Sequence, residues 1–279
     1  MDQSLEKFHR AGEAIERYIR PATLPLAVKL VREEREIPPE SRRPHRVFGV
    51  QNFVCQNFKI ARTYGWTMAV TQADTNCYLA RNIYGWDPVT EETIAAAHQF
   101  NLGLYAQDME TSAKLEPHLY RLDEPFCGLV ISPLTRARVA PDVVLIYCLP
   151  AQAMRFIQAW LFSHGGAMTF SATGRIGSCH EGVIKTLVTG DPQLVLLGNG
   201  DRVWGGAQDA EVLFACPASQ LDTLLDGLKQ THDAGLRYPV PAYMNYSPGF
   251  QADFEKRAME RAGRTIVRPE GTHKQNTTP

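Results

Sequence analysis

Short apolar runs alternate with amphipathic stretches along the chain, and one succession of them occurs twice. Leu26–Val31 (LAVKLV) leads into a helical stretch through Cys55 (CQNFKIARTYG), a strand-like run at 66–71 (WTMAVT), a polar turn ending at Asn76 and Cys77, and a second helical stretch. Val143–Cys148 (VVLIYC) leads likewise into AQAMRFIQAWLFSHG, a run at 167–172 (AMTFSA), a polar turn ending at Ser178 and Cys179, and another helical stretch. The apolar segments 126–134 (FCGLVISPL) and 213–221 (LFACPASQL) extend the likeness, each a strand ended by proline. Alternating strands and helices predict an α/β or α+β fold, a mixed sheet with helices. The repetition predicts two similar halves related by a pseudo-twofold axis, with Cys77 and Cys179 in equivalent places.

The remaining elements fit one domain over 1–279, with halves at about 24–134 and 143–230. Residues 1–20 read as an amphipathic helix with Leu5, Phe8, Ile15, Tyr18 and Ile19 on one side. Asp87 and Pro88 read as an N-cap and first helical position ahead of EETIAAAHQF. The polar, aperiodic stretch 101–125 reads as a long connection, and 217–229 as a helix. Beyond them, a strap and helix over 237–262 begin with the tyrosine- and proline-rich RYPVPAYMNYSP, and the polar tail 264–279 reads as disordered.

Composition narrows the function classes. A formal charge of -1 with interspersed acids and bases leaves no electrostatic footprint for nucleic acid or an anionic membrane. No apolar run reaches the roughly 20 residues that cross a bilayer, and the charged N-terminus contradicts a secretory signal. A cytoplasmic protein acting on a small molecule is expected, with room for a homo-oligomer. Six cysteines without a secretory signal are expected as free thiols.

Cys77 and Cys179 each follow a polar turn at a predicted helix start, where unpaired N–H groups and the positive end of the dipole favour thiolate. The loop 171–182 (SATGRIGSCHEG) around Cys179 is glycine-rich and open to close approach by a ligand. Cys55 has no cysteine counterpart in the second half. Three converging thiols suit a 4Fe-4S cluster, or zinc completed by His180 or water. A metal-free thiol site and plain packing are the competing readings. Cys127, Cys148 and Cys216 lie in apolar runs and read as core.

Arg81, four residues after Cys77, shares its helix face and is a candidate to compensate thiolate or cluster charge, although a solvated side chain explains it as well. At 198–206 (GNGDRVWGG), Asp201 and Arg202 form a charged pair at a strand end, Arg202 suiting a carboxylate or phosphate. Its bland reading is a turn with a structural salt bridge. Glu181 and Lys185 have the spacing of a surface ion pair, and Lys29 inside LAVKLV needs a partner. His180 diverges in direction from Cys179 and makes a poor base for it. Nucleotide, zinc-protease, hydrolase and haem signatures are absent.

Over about 24–228 the chain resembles the family catalogued as domain of unknown function 169. The likeness rests on LPLAVKL, Cys55 followed by KIAR, the turn before Cys77, PDVVLIYCLPAQAM, Cys179 in its glycine-rich loop, and the GDR at 200–202. It departs from the expected small residues after Cys77, where Tyr78, Leu79 and Ala80 stand. The resemblance implies that Cys55, Cys77 and Cys179 occupy the family's recurring cysteine positions, which favours a cluster or metal site. Two functions follow as expectations. One is an enzyme using the cluster as an open Lewis acid or redox centre on a small anionic metabolite, with Cys179, Arg81 and Arg202 in the active site. The other is a non-catalytic binding or sensor protein with a thiol-lined pocket.

Overall fold

The β-branched and aliphatic runs pair as the pattern predicts, but in a different sense. In the computed structural model, which describes residues 3–122, 124, 126–239 and 253–263, the strands are β1 (Leu26–Val31), β2 (Met68–Thr71), β3 (Gly128–Pro133), β4 (Val143–Cys148), β5 (Gln193–Val195) and β6 (Val212–Pro217). They form a six-stranded sheet in the order β2-β3-β1-β4-β6-β5. Every neighbouring pair is antiparallel, which corrects the expected mixed sheet and makes the fold α+β. The reason is topological: β3 lies between β1 and β2, and β6 between β4 and β5, so strands running the same way never pair.

Both prolines that close strands do the same work. Pro133 pairs with Leu26 and Pro217 with Val143, each with φ -56° and ψ 135°. The next residue then donates to the residue before the partner strand, Leu134 N to Pro25 O at 2.8 Å and Ala218 N to Asp142 O at 2.9 Å. Proline has no N–H to give the ladder, so it sits where the ladder ends.

The α-helices are α1 (Gln3–Ile19), α2 (Pro44–Phe48), α3 (Val54–Tyr64), α4 (Tyr78–Ile83), α5 (Glu91–Asn101), α6 (Met109–Ala113), α7 (Pro150–His164), α8 (Lys185–Thr189), α9 (Asn199–Val203), α10 (Leu221–Asp233) and α11 (Asp253–Arg261). A π-helix, Gly177–Ile184, runs directly into α8. Period-two alternation splits the sheet's faces. Val144, Ile146 and Cys148 of β4 pack with Phe8 and Ile15 of α1, Phe156 of α7 and Leu224 of α10. Val143, Leu145 and Tyr147 face the other core, with Phe58 of α3, Ile83 of α4, and Cys179 and Val183 of the π-helix. Among the described residues no helix is long and apolar enough to cross a membrane.

Several local expectations are corrected. Residues 167–172 form no strand; they belong to an exposed loop between Gly165 and Gly174, whose backbone is held by side chains, as in Thr173 N to Glu181 Oε1 at 2.7 Å. The N-cap of α5 is Thr90, which accepts from Thr93 N, because Asp87 is engaged by Arg81. The connection 101–125 contains α6 and a 3-10 turn, Glu116–His118. Glu181 and Lys185 are 3% and 7% exposed rather than a surface pair, because the loop 171–174 folds over them: Lys185 Nζ donates to Ser171 Oγ at 2.9 Å. Lys29 finds its partner in Asp142, at 2.8 Å. Most of the strap, at 240–252, and the tail at 264–279 lie outside the described residues.

Candidate cysteine site and its buried arginine

Four helix starts meet over one face of the sheet. Cys55 is the second residue of α3, Cys77 is the N-cap of α4, Cys179 lies in the first turn of the π-helix, and Asp201 is the third residue of α9. Cys55 Sγ donates to Gly200 O at 3.4 Å, which fastens α3 to α9. The hydroxyl of Tyr84, at the end of α4, donates to Cys179 O at 3.0 Å. Asp201 accepts from Ser178 N and Gly198 N, each at 3.1 Å, and from the Ser178 hydroxyl. One carboxylate thus ties the start of the π-helix to the start of α9. Gly177 is required by this closeness, since a Cβ there would meet Asp201 and come within 2.9 Å of Gly198 N.

The electrostatics correct the expectation of a thiolate. Burial pushes all three thiols up. The charge of Asp201 raises each further, Cys77 raises Cys55 and Cys179, and Cys55 raises Cys179. Backbone N–H groups of Ala80 and Leu79 do pull Cys77 down, as a helix start should, but burial outweighs them. The sulfurs therefore share one electrostatic neighbourhood, in which burial and the nearby acids favour the protonated thiols. Among the described residues, no group of three or more His, Cys, Asp or Glu is arranged to hold a metal ion. Cys148 and Cys216 sit in the opposite core, as expected, and burial pushes each up to about 12. Cys127 instead precedes β3, half-buried, beside Glu34 and Arg43 in an open cavity.

The two candidate arginines are given to local partners. Arg81 grips Asp87 with Nε at 2.8 Å and Nη2 at 2.6 Å. Arg202 donates to Gln208 O at 2.8 Å and reaches Asp209 at 3.7 Å. Asp201 turns away from Arg202 into the site, so the expected pair at the strand end does not form. Sequence reasoning passed over Arg175, which lies inside the glycine-rich loop it singled out. Arg175 is 4% exposed, and none of its three nitrogens has a hydrogen-bond partner among the described residues. His180 is fully buried; its Nε2 accepts the Tyr120 N–H at 2.8 Å, and burial pulls its pKa to about 4. That bond occupies Nε2 and leaves Nδ1 without a partner among the described residues.

Residues 14–227 match the family DUF169, described as uncharacterised ArCR, and the chain belongs to that family. It is similar to the uncharacterized protein MJ0308 of Methanocaldococcus jannaschii, at 23% identity over 205 residues, which cover 73% of this chain and 86% of that protein. No solved structure matches.

Proposed function

We propose that the chain binds a 4Fe-4S cluster through Cys55, Cys77 and Cys179 and acts there on a small anionic metabolite. The observation that carries this reading is the gathering of four acidic groups, three thiols and Asp201, whose charges raise the thiols' pKa values in one buried place. Such a set holds either protons or a cation, and a cation displaces the protons. A single zinc ion needs its donors at one short coordination distance, which the described residues do not offer. A cluster spreads its thiolates over several irons and asks for wider spacing than a single zinc ion does. When bound, a cluster with three thiolates supplies an iron open to Lewis-acid or electron-transfer chemistry. The chain's part is to exclude water, to hold the Cys179 turn through Tyr84 and Ser178, and to bind the anion. Raised thiol pKa values tell against the alternative of a reactive thiol pocket.

The same reading treats the fold as two halves, with Cys55 rather than Cys77 equivalent to Cys179. α3 and α8 each end at a glycine with φ near +70°, Gly65 and Gly190, three residues before β2 and β5. Cys55 stands ten residues before its glycine and Cys179 eleven before. A π turn takes up one more residue than an α turn, which accounts for the difference. The palindromic strand order and the matched proline corners support the same pairing.

Anaerobic purification followed by iron and sulfide analysis tests the cluster. Brown protein with about four irons per chain is expected, lost in Cys55→Ser, Cys77→Ser and Cys179→Ser and kept in Cys148→Ser. Colourless, iron-free protein after reconstitution with iron and sulfide would overturn the reading.

A further inference from the structure

We propose that Arg175 anchors a buried carboxylate-binding site, which gives the anion of the proposed reaction its chemical class. A guanidinium keeps its proton at any ordinary pH, so burying one without a partner is costly and rare. Arg175 is in that position, with Nε, Nη1 and Nη2 all unpaired among the described residues and the side chain almost fully enclosed. It sits at the foot of the exposed loop between Gly165 and Gly174, four residues before Cys179. Tyr78, which follows Cys77, is among its charge-coupled neighbours, so the site adjoins the helix starts that carry Cys77 and Cys179.

Neither nearby acid hydrogen-bonds Arg175, although Glu116 Oε1 is itself buried without a hydrogen-bond partner among the described residues. Glu116 takes Arg121 Nη2 at 2.7 Å and His98 at 3.7 Å, while the second arm of Arg121 goes to Asn82 at 3.0 Å. Glu181 accepts from Thr173, and burial pushes it above its usual value despite those hydrogen bonds and the charge of Lys185. Tyr105 and Tyr78 also act on Arg175. Of the charged groups that act on Arg175, Glu116 and Arg121 oppose each other, which leaves the charge of Arg175 itself uncompensated. His180 adds a second free donor: because Nε2 accepts from Tyr120, the neutral ring carries its hydrogen on Nδ1, which has no partner. A single net charge, a planar fork and one extra N–H match a monoanionic carboxylate better than a dianionic phosphate.

As a binding site this stands alone; as the substrate's seat it rests on the cluster reading. The test uses acetate as probe on the full chain, with chloride at equal ionic strength as control and inorganic phosphate as competitor class, read by thermal denaturation and calorimetry. Acetate should raise the melting temperature of the wild type, and Arg175→Met should weaken acetate binding by roughly thirtyfold or more. Without acetate, Arg175→Met should melt at or above the wild-type temperature, because it removes an unpaired buried charge. Iron content should be unchanged in Arg175→Met, so loss of acetate binding with iron retained separates this site from the cluster. No acetate response in the wild type, an equal response in Arg175→Met, or a lower melting point of the unliganded variant would each overturn the proposal. A phosphate response without an acetate response, lost in Arg175→Gln, would overturn the carboxylate assignment.

Discussion

Replacing Arg62 with methionine probes how the sheet is tied to the cysteine site. Arg62, on α3 and 2% exposed, donates to both carboxylate oxygens of Glu211 at 2.7 and 3.2 Å, and to Gly206 O and Thr23 Oγ1, each at 3.2 Å. Its guanidinium lies 4.1 Å from the centre of the Tyr147 ring, and Tyr147 in turn feels Asp201, Ser178 and Cys55. Methionine keeps most of the stem but strands Glu211 as a buried charge. Breaking such a pair from one side costs about 3–5 kcal/mol. At about 2–4 °C per kcal/mol for a large domain, the melting temperature should fall by roughly 6–20 °C. Arg62→Met/Glu211→Leu removes the stranded charge, so urea denaturation of the cycle should give a coupling of about 1–3 kcal/mol. Acid supplies a second readout. Burial pushes Glu211 up, but the Arg62 and Gln208 hydrogen bonds outweigh it and hold Glu211 below its usual value. A lowered folded pKa adds stability above the unfolded value of about 4.3, and that stability is lost as pH falls through the folded value. The deficit of Arg62→Met should therefore shrink in acid. A loss under about 1 kcal/mol at pH 7, or a double variant equal to the sum of the singles, would refute the reasoning.

Gly177→Ala forces a Cβ against Asp201 and Gly198 N, and overpacking of that kind should cost about 1–3 kcal/mol. An unchanged melting temperature would show that the junction of the π-helix and α9 has slack. In native, metal-free protein, iodoacetamide with peptide mapping should label the half-buried Cys127 first, whereas Cys148 and Cys216 should react only on unfolding. Early labelling of Cys216 would contradict its placement in the core.

Much of the architecture was legible because it depends on periodicity. The apolar runs at β1, β4 and β6, the amphipathic α1 and the helix carrying Cys55 all emerge from spacing two or spacing 3.6, which local sterics and burial enforce. Strand partners do not follow from spacing. LAVKLV and WTMAVT look like neighbours of one parallel unit, and only the return of β3 between them makes the sheet antiparallel. The run 167–172 has a strand's composition, yet it lies exposed to solvent, and Glu181 takes the backbone N–H of Thr173 just after it.

Residue type and local position in the chain determined which cysteines stand at helix starts and which fill strands, because both are local properties. Tertiary structure alone decided their chemistry. Burial overrode the helix start at Cys77, and Asp201 was turned from its neighbour Arg202 toward Ser178, 23 residues earlier. Arg81 was taken by Asp87 and Arg202 by the Gln208 carbonyl, while Arg175 was left enclosed and unpaired among the described residues. A charge's partner depends on which distant segments exclude water around it, and no window of sequence contains that information.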